Sequence, residues 1–166
     1  MKRLFLIGGP MGVGKSTVGQ ILKNRLPDSV FLDGDWCWDA HPFAVSEETK
    51  RMVMENICFL LKNFLACTAY ENIIFCWVMH EQRIIDELLA NLPLDGCRVT
   101  ALSLVCSEVE LRLRLQKDVA AGLRTDGVIA RSLARLPLYS GLATLKIDTS
   151  GKNAAAVAEA ILLNIN

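Results

Sequence analysis

Apolar residues in this chain gather into five short runs, Arg3-Ile7, Val30-Leu32, Asn72-Val78, Arg98-Val105 and Thr144-Ile147, separated by longer stretches with helical spacing. Short apolar runs bounded by turn residues read as strands buried on both faces. The first helix is expected to begin at Gly14 or Lys15 and to end near Leu26, where Pro27 and Asp28 break it. Ser46, followed by Glu47 and Glu48, reads as an N-cap opening a helix that runs to about Cys67. Ser107-Glu108-Val109-Glu110 has capping-box spacing, so the alternating Val109, Leu111, Leu113 and Leu115 read as helix rather than strand. Another helical stretch is expected from Asp126 or Gly127 toward Leu136, ended by Pro137, and an Ala-rich one from Asn153 to Asn164. Gly122 to Gly127 is the least regular stretch and reads as a hinge. Strands alternating with helices imply right-handed crossovers, hence an α/β fold with a five-stranded parallel sheet and helices on both faces.

Composition narrows this picture. The chain has 166 residues and no internal repeat, low-complexity segment or linker, which predicts a single domain over residues 1–166. Apolar residues make up 52% and mean hydropathy is +0.31, which raises the question of a membrane. The longest purely apolar run, Ile73 to Met79, is far short of the roughly 18 residues a spanning helix needs. No membrane partner is expected. Lys plus Arg equals Asp plus Glu at 18 each, and this balance argues against a general nucleic-acid binder. Six cysteines are scattered without a C-x-x-C pair, as expected of small hydrophobes in a reducing cytoplasm. Cys37 and His41 stand four apart, but one such pair lacks the ligand count of a zinc site.

The strongest chemical signal is Gly9-Pro10-Met11-Gly12-Val13-Gly14-Lys15-Ser16, a complete G-x-x-x-x-G-K-[ST] P-loop between an apolar strand and an amphipathic helix. A leader cleaved after Met1-Lys2-Arg3-Leu4-Phe5-Leu6-Ile7 would destroy it, so none is expected. Gly9, Gly12 and Gly14 can turn successive amides, with that of Val13, toward phosphate oxygens in an anion nest at a helix N-terminus. Lys15 is expected to reach the β- and γ-phosphates of ATP, Ser16 to offer its hydroxyl to Mg²⁺, and Thr17 to add a phosphate contact. A second site is Asp33-Gly34-Asp35, at the C-terminal end of the second strand, where open α/β sheets bind ligands. Asp35 suits a base that orients an acceptor hydroxyl and takes its proton, and Asp33 suits support of the metal.

With the P-loop, Leu32-Asp33-Gly34-Asp35, an Arg-containing lid and Ile147-Asp148-Thr149 after the last strand, the chain resembles the small-molecule kinase branch of P-loop proteins. That branch includes gluconate, shikimate and adenylylsulfate kinases and the chloramphenicol phosphotransferase and tunicamycin-resistance types. The resemblance implies a three-layer P-loop NTPase fold with a small helical lid over approximately 116–136 and transfer of the γ-phosphoryl group of ATP to a small-molecule hydroxyl. It further implies nucleotide contacts from Asp148 and from Arg114, with Arg112 as close competitor, and a lid Arg at the transferred phosphate. The helix opened by Ser46 would lie on the substrate side.

The chain departs from that pattern twice. Gln116, Lys117 and Asp118 stand where a second Arg is usual, leaving Arg124 as the catalytic candidate, with Arg131, also a candidate substrate contact, and Arg135 behind it. The run Ile73-Ile74-Phe75-Cys76-Trp77 ends without a Walker B aspartate, so the acidic pair must do more. His80, beyond that run, and Trp36 are further candidates for touching the acceptor. Two alternatives stay open: a nucleoside or nucleotide kinase, for which Arg51 and Arg83 are the obvious extra cations, and an ATP-binding resistance or sensing protein that transfers nothing. Oligomeric state is not legible.

Overall fold

In the computed structural model, which describes residues 1–165, all five apolar runs form strands. Asn166, the last residue of the expected domain, lies outside the described residues. The strands are β1 (Lys2–Gly8), β2 (Ser29–Asp33), β3 (Asn72–Cys76), β4 (Cys97–Val105) and β5 (Leu145–Asp148). They pair in parallel in the order β2-β3-β1-β4-β5. Period-two alternation sends successive side chains to opposite faces, and each face is covered. Phe5, Ile7, Ile74 and Leu104 pack into one core with helices α1 (Lys15–Arg25), α4 (Glu108–Ala120) and α6 (Ala154–Ile165). Leu4, Leu6, Ile73 and Phe75 pack into the other with α2 (Glu47–Ala66) and α3 (Gln82–Ala90). No described helix is long and apolar enough to cross a membrane.

The helix boundaries follow local chemistry. The Ser46 hydroxyl accepts from the Thr49 N–H at 3.2 Å while the Thr49 hydroxyl accepts from the Ser46 N–H at 2.8 Å, a reciprocal cap that opens α2. Ser107 caps α4 from one side, its hydroxyl accepting from the Glu110 N–H, while its own N–H donates to the Ser150 hydroxyl instead of the Glu110 carboxylate. The alternating run there resolves as a helix because only Leu111 and Leu115, four apart, are buried, whereas Val109 and Leu113 are 69% and 60% exposed.

Two boundaries differ from the sequence expectation. Strand β3 stops at Cys76 rather than Val78, since the Val78 carbonyl turns away to accept from the Gly9 N–H and from the Tyr139 hydroxyl. Helix α5 (Gly127–Arg135) is not ended by Pro137; the chain tightens into a 3-10 turn over Leu136–Gly141. Proline at the start of such a turn loses no needed N–H and fits its φ. That turn buries Tyr139 completely.

Candidate active site

The C-terminal ends of β1, β2 and β3 meet at one edge of the sheet, and the P-loop leaves β1 there to enter α1. Gly9 and Gly12 have φ of 149° and 85°, in the left-handed region open to glycine. Close packing excludes larger residues as well: a Cβ on Gly9 would stand 2.7 Å from the Leu104 carbonyl oxygen, and one on Gly12 would stand 2.5 Å from a Leu115 methyl. Gly14, at φ 102°, opens α1. The Val13 side chain is buried, so only its main chain can serve a ligand. Thr17 is exposed in the first turn of α1.

The Lys15 ammonium donates to the Pro10 carbonyl at 3.0 Å. Loss of hydration lowers its pKa, and the nearby Asp35 and Asp33 carboxylates oppose that fall. The Ser16 hydroxyl donates to Asp33 Oδ2 at 2.5 Å, and Asp33 Oδ1 accepts from the Asp35 N–H at 3.0 Å. Asp33, only 7% exposed, thereby fixes both the P-loop serine and the short 3-10 helix Gly34–Cys37 that carries Asp35. In register Asp33 lies opposite Cys76, the residue that ends β3 where a Walker B acid would stand. The Cys76 thiol sits 3.9 Å from Ser16 Oγ, and burial, reinforced by Asp33, pushes it up to about 12, so it remains neutral. The carboxylate comes from the neighbouring strand instead.

Asp35 is reached by solvent, yet the groups packed around its carboxyl strip enough water to raise its pKa. Asp33 adds to the rise, while Lys15, Arg124 and the Trp77 indole pull against it. A carboxylate held above its ordinary range is a better proton acceptor at neutral pH. Lys15, Ser16, Asp33, Asp35, Arg114 and Arg124 all line one cavity of about 380 Å³. Gly12, Gly14 and Thr17 share it. So do Lys117 and Asp118, to which the sequence reading gave no role; their place on the inward turn of α4, three and four residues after Arg114, was the available signal.

Two arginines enter differently. Arg124 Nε donates to Asp118 at 3.0 Å across the loop between α4 and α5. The Arg114 guanidinium binds Glu110, the Val13 carbonyl and both oxygens of Thr149, tying α4 to the P-loop and to the end of β5. Its competitor Arg112 forms only an exposed pair with Glu108.

Besides the loop residues Gly9 and Val13, four expected contacts lie outside this cavity. Asp148 accepts from the Ser150 N–H at 2.9 Å, a turn that holds its pKa low; its neighbour Thr149 makes the inward contact. Arg131 is exposed on α5; Arg135, at the end of α5, and Arg83 are the cations whose charge reaches His80. His80 is half-buried with Nε2 3.2 Å from Glu81, and burial, then Arg135, lower its pKa so that it is neutral. Its Nδ1 is buried without a partner. Trp36 turns from the phosphate cavity and lines a neighbouring one.

This fold and this edge define a P-loop protein of the kind that small-molecule kinases are built on. The family described as the AAA domain matches residues 6–124, and the chain belongs to it. Among solved structures, the chain resembles the Deinococcus radiodurans tunicamycin resistance protein at TM-score 0.72 and 20% identity, covering 100% of this chain and 96% of that one. It resembles a gluconokinase from Sinorhizobium meliloti 1021 at TM-score 0.65 and 18% identity, over 98% and 97% of the two chains. The shikimate kinase of Acinetobacter baumannii matches at TM-score 0.65 and 22% identity, over 99% and 93%. At these identities the likeness establishes the shared fold. No curated protein matches the sequence significantly.

Proposed function

We propose that this chain is a phosphotransferase that moves the γ-phosphoryl group of ATP to a hydroxyl of a small molecule. The observation that carries the reading is one cavity lined by a P-loop lysine, a serine–aspartate pair, a second carboxylate of raised pKa and a lid arginine. Phosphoryl transfer asks for little beyond positioning and charge stabilisation, and these groups supply both. Ser16 Oγ and Asp33 Oδ2 are the hard oxygen donors that suit Mg²⁺, which would neutralise phosphate charge there. Asp35 takes the proton as the acceptor oxygen bonds to phosphorus and the bond to the bridging oxygen of ADP breaks. Lys15 and Arg124 offset the charge on the moving group. Arg114 keeps the nucleotide side of the P-loop in place.

A second reading, an ATP-binding resistance or sensing protein without transfer, has one observation in its favour: Arg124 is engaged by Asp118. The nucleotide-kinase alternative gains no support from Arg51 and Arg83, which lie outside the lining of the phosphate cavity. Neither nucleic acid nor membrane belongs among the proposed partners, in keeping with the balanced charge. ADP release measured with and without a panel of hydroxyl acceptors tests the proposal. Acceptor-dependent ADP release is expected; if ATP binds and no acceptor raises turnover, the phosphotransferase reading fails.

A further inference from the structure

The cavity that Trp36 enters measures about 530 Å³, within the range of small-molecule sites. Trp36, Trp38, Pro42, Ala44 and Met52 form its apolar walls, and Asp39 is the single ionisable carboxylate on it. No Lys, Arg or His lines it. The 3-10 helix Gly34–Cys37 joins it to the phosphate cavity: Asp35 faces one, while Trp36 and Cys37 face the other. Trp36 is 61% exposed although it meets Phe31 edge-on at 5.4 Å, and Trp38 stacks on the exposed Phe43 at 4.5 Å. Large aromatic surface left in water at a cavity beside a reactive carboxylate is a surface awaiting a ligand.

The lining discriminates by charge. An anionic ligand would give up water opposite Asp39 with no Lys, Arg or His in the lining to replace it, Lys50 and Arg51 of the neighbouring α2 standing outside the lining in exposed pairs with Glu47 and Glu55. A neutral ring gains stacking on tryptophan and loses little hydration. Resting on the phosphotransfer reading above, we propose that this cavity is the acceptor subsite and that it takes an uncharged, ring-bearing alcohol rather than a carboxylate or phosphate ester. Its hydroxyl would point along the 3-10 helix toward Asp35. The cation an anionic acceptor would use instead is Arg135, beside His80 and outside both cavities.

Calorimetry on the full chain tests this with 2-naphthylethanol, its anionic match 2-naphthylacetate, and gluconate. The alcohol is expected to bind at least about tenfold more tightly than either anion. Trp36→Ala, checked for folding by circular dichroism, is expected to weaken the alcohol about tenfold, and Trp36→Phe to restore most of the loss. Tighter or equal binding of an anion overturns the proposal, as does an unchanged alcohol affinity in Trp36→Ala or no binding of any probe at millimolar concentration. ADP release in the same samples separates the two claims. With Mg²⁺ and ATP added, alcohol binding while no hydroxyl acceptor of the panel raises ADP release supports the subsite's chemistry and sinks phosphotransfer; ADP release driven by gluconate and weakened by Arg135→Ala upholds phosphotransfer and overturns the subsite.

Discussion

The two ends of the site are built from different materials. At the phosphate end the working groups are main-chain amides, a lysine already bonded to Pro10 and a serine already bonded to a buried aspartate. At the proposed acceptor end they are side chains on short connections: Asp35 and Trp36, exposed on a 3-10 turn, and the half-buried Arg124 on the loop between α4 and α5. The first end is held by the two cores of the sheet, the second mainly by a few side-chain contacts. A rigid phosphate cradle beside an adjustable acceptor wall lets one scaffold keep its nucleotide chemistry while the second ligand varies.

That division can be broken by substitution. Asp35→Asn is expected to lower acceptor-dependent turnover about a thousandfold while leaving ATP affinity intact, as measured by ADP release and nucleotide titration. A parallel loss of ATP affinity would mean that the two ends are one unit. The same variant should melt at a higher temperature than the parent, because a carboxyl whose folded pKa is raised destabilises the fold once ionised. Its contribution to stability is present at low pH and is lost as pH rises through the interval between its ordinary and its raised value. A lower melting temperature in Asp35→Asn would make Asp35 a structural residue.

Arg124→Ala is expected to cost about a hundredfold in turnover with little change in acceptor affinity. It should also move the acid limb of the rate profile. Because Asp35 must be ionised to act and its pKa is raised, that limb should lie above the ordinary aspartate range of about 3.9. Arg124 pulls that pKa down, so its removal should shift the limb to higher pH; an unmoved limb would separate Arg124 from Asp35. The smallest effect belongs to Arg112→Ala, which removes only an exposed i,i+4 pair and should change stability by less than about 0.5 kcal/mol, with turnover unchanged. Any sizeable loss there would reopen the choice between Arg112 and Arg114.

Much of the sheet and the whole P-loop were legible in the sequence because each rests on a short-range rule: short apolar runs bounded by turn residues, capping residues, and a motif whose spacing fixes its own geometry. The acidic pair was legible for the same reason, being set by its place after β2. What the sequence hid depends on packing between elements. That Asp33 would cross from β2 to take over beside Cys76 follows from strand order and register. That the charge of Arg135, one of the cations placed behind Arg124, reaches His80 depends on how α5 and the 3-10 turn after it dock. Asp148 was drawn toward the nucleotide by resemblance alone, and a local turn with Ser150 claims it instead.

Tyr139 carries one more consequence. Its hydroxyl bonds the Val78 carbonyl at 2.5 Å, and that oxygen also accepts from the Gly9 N–H at 3.3 Å, so the turn that follows α5 is pinned to the first residue of the phosphate loop. Helix α5 is thus held along its length: Val128 near its start is buried in the core shared with α1 and α4, and the turn after it is fixed to the sheet through Tyr139. One carbonyl oxygen thereby steadies the phosphate loop and the end of α5 together.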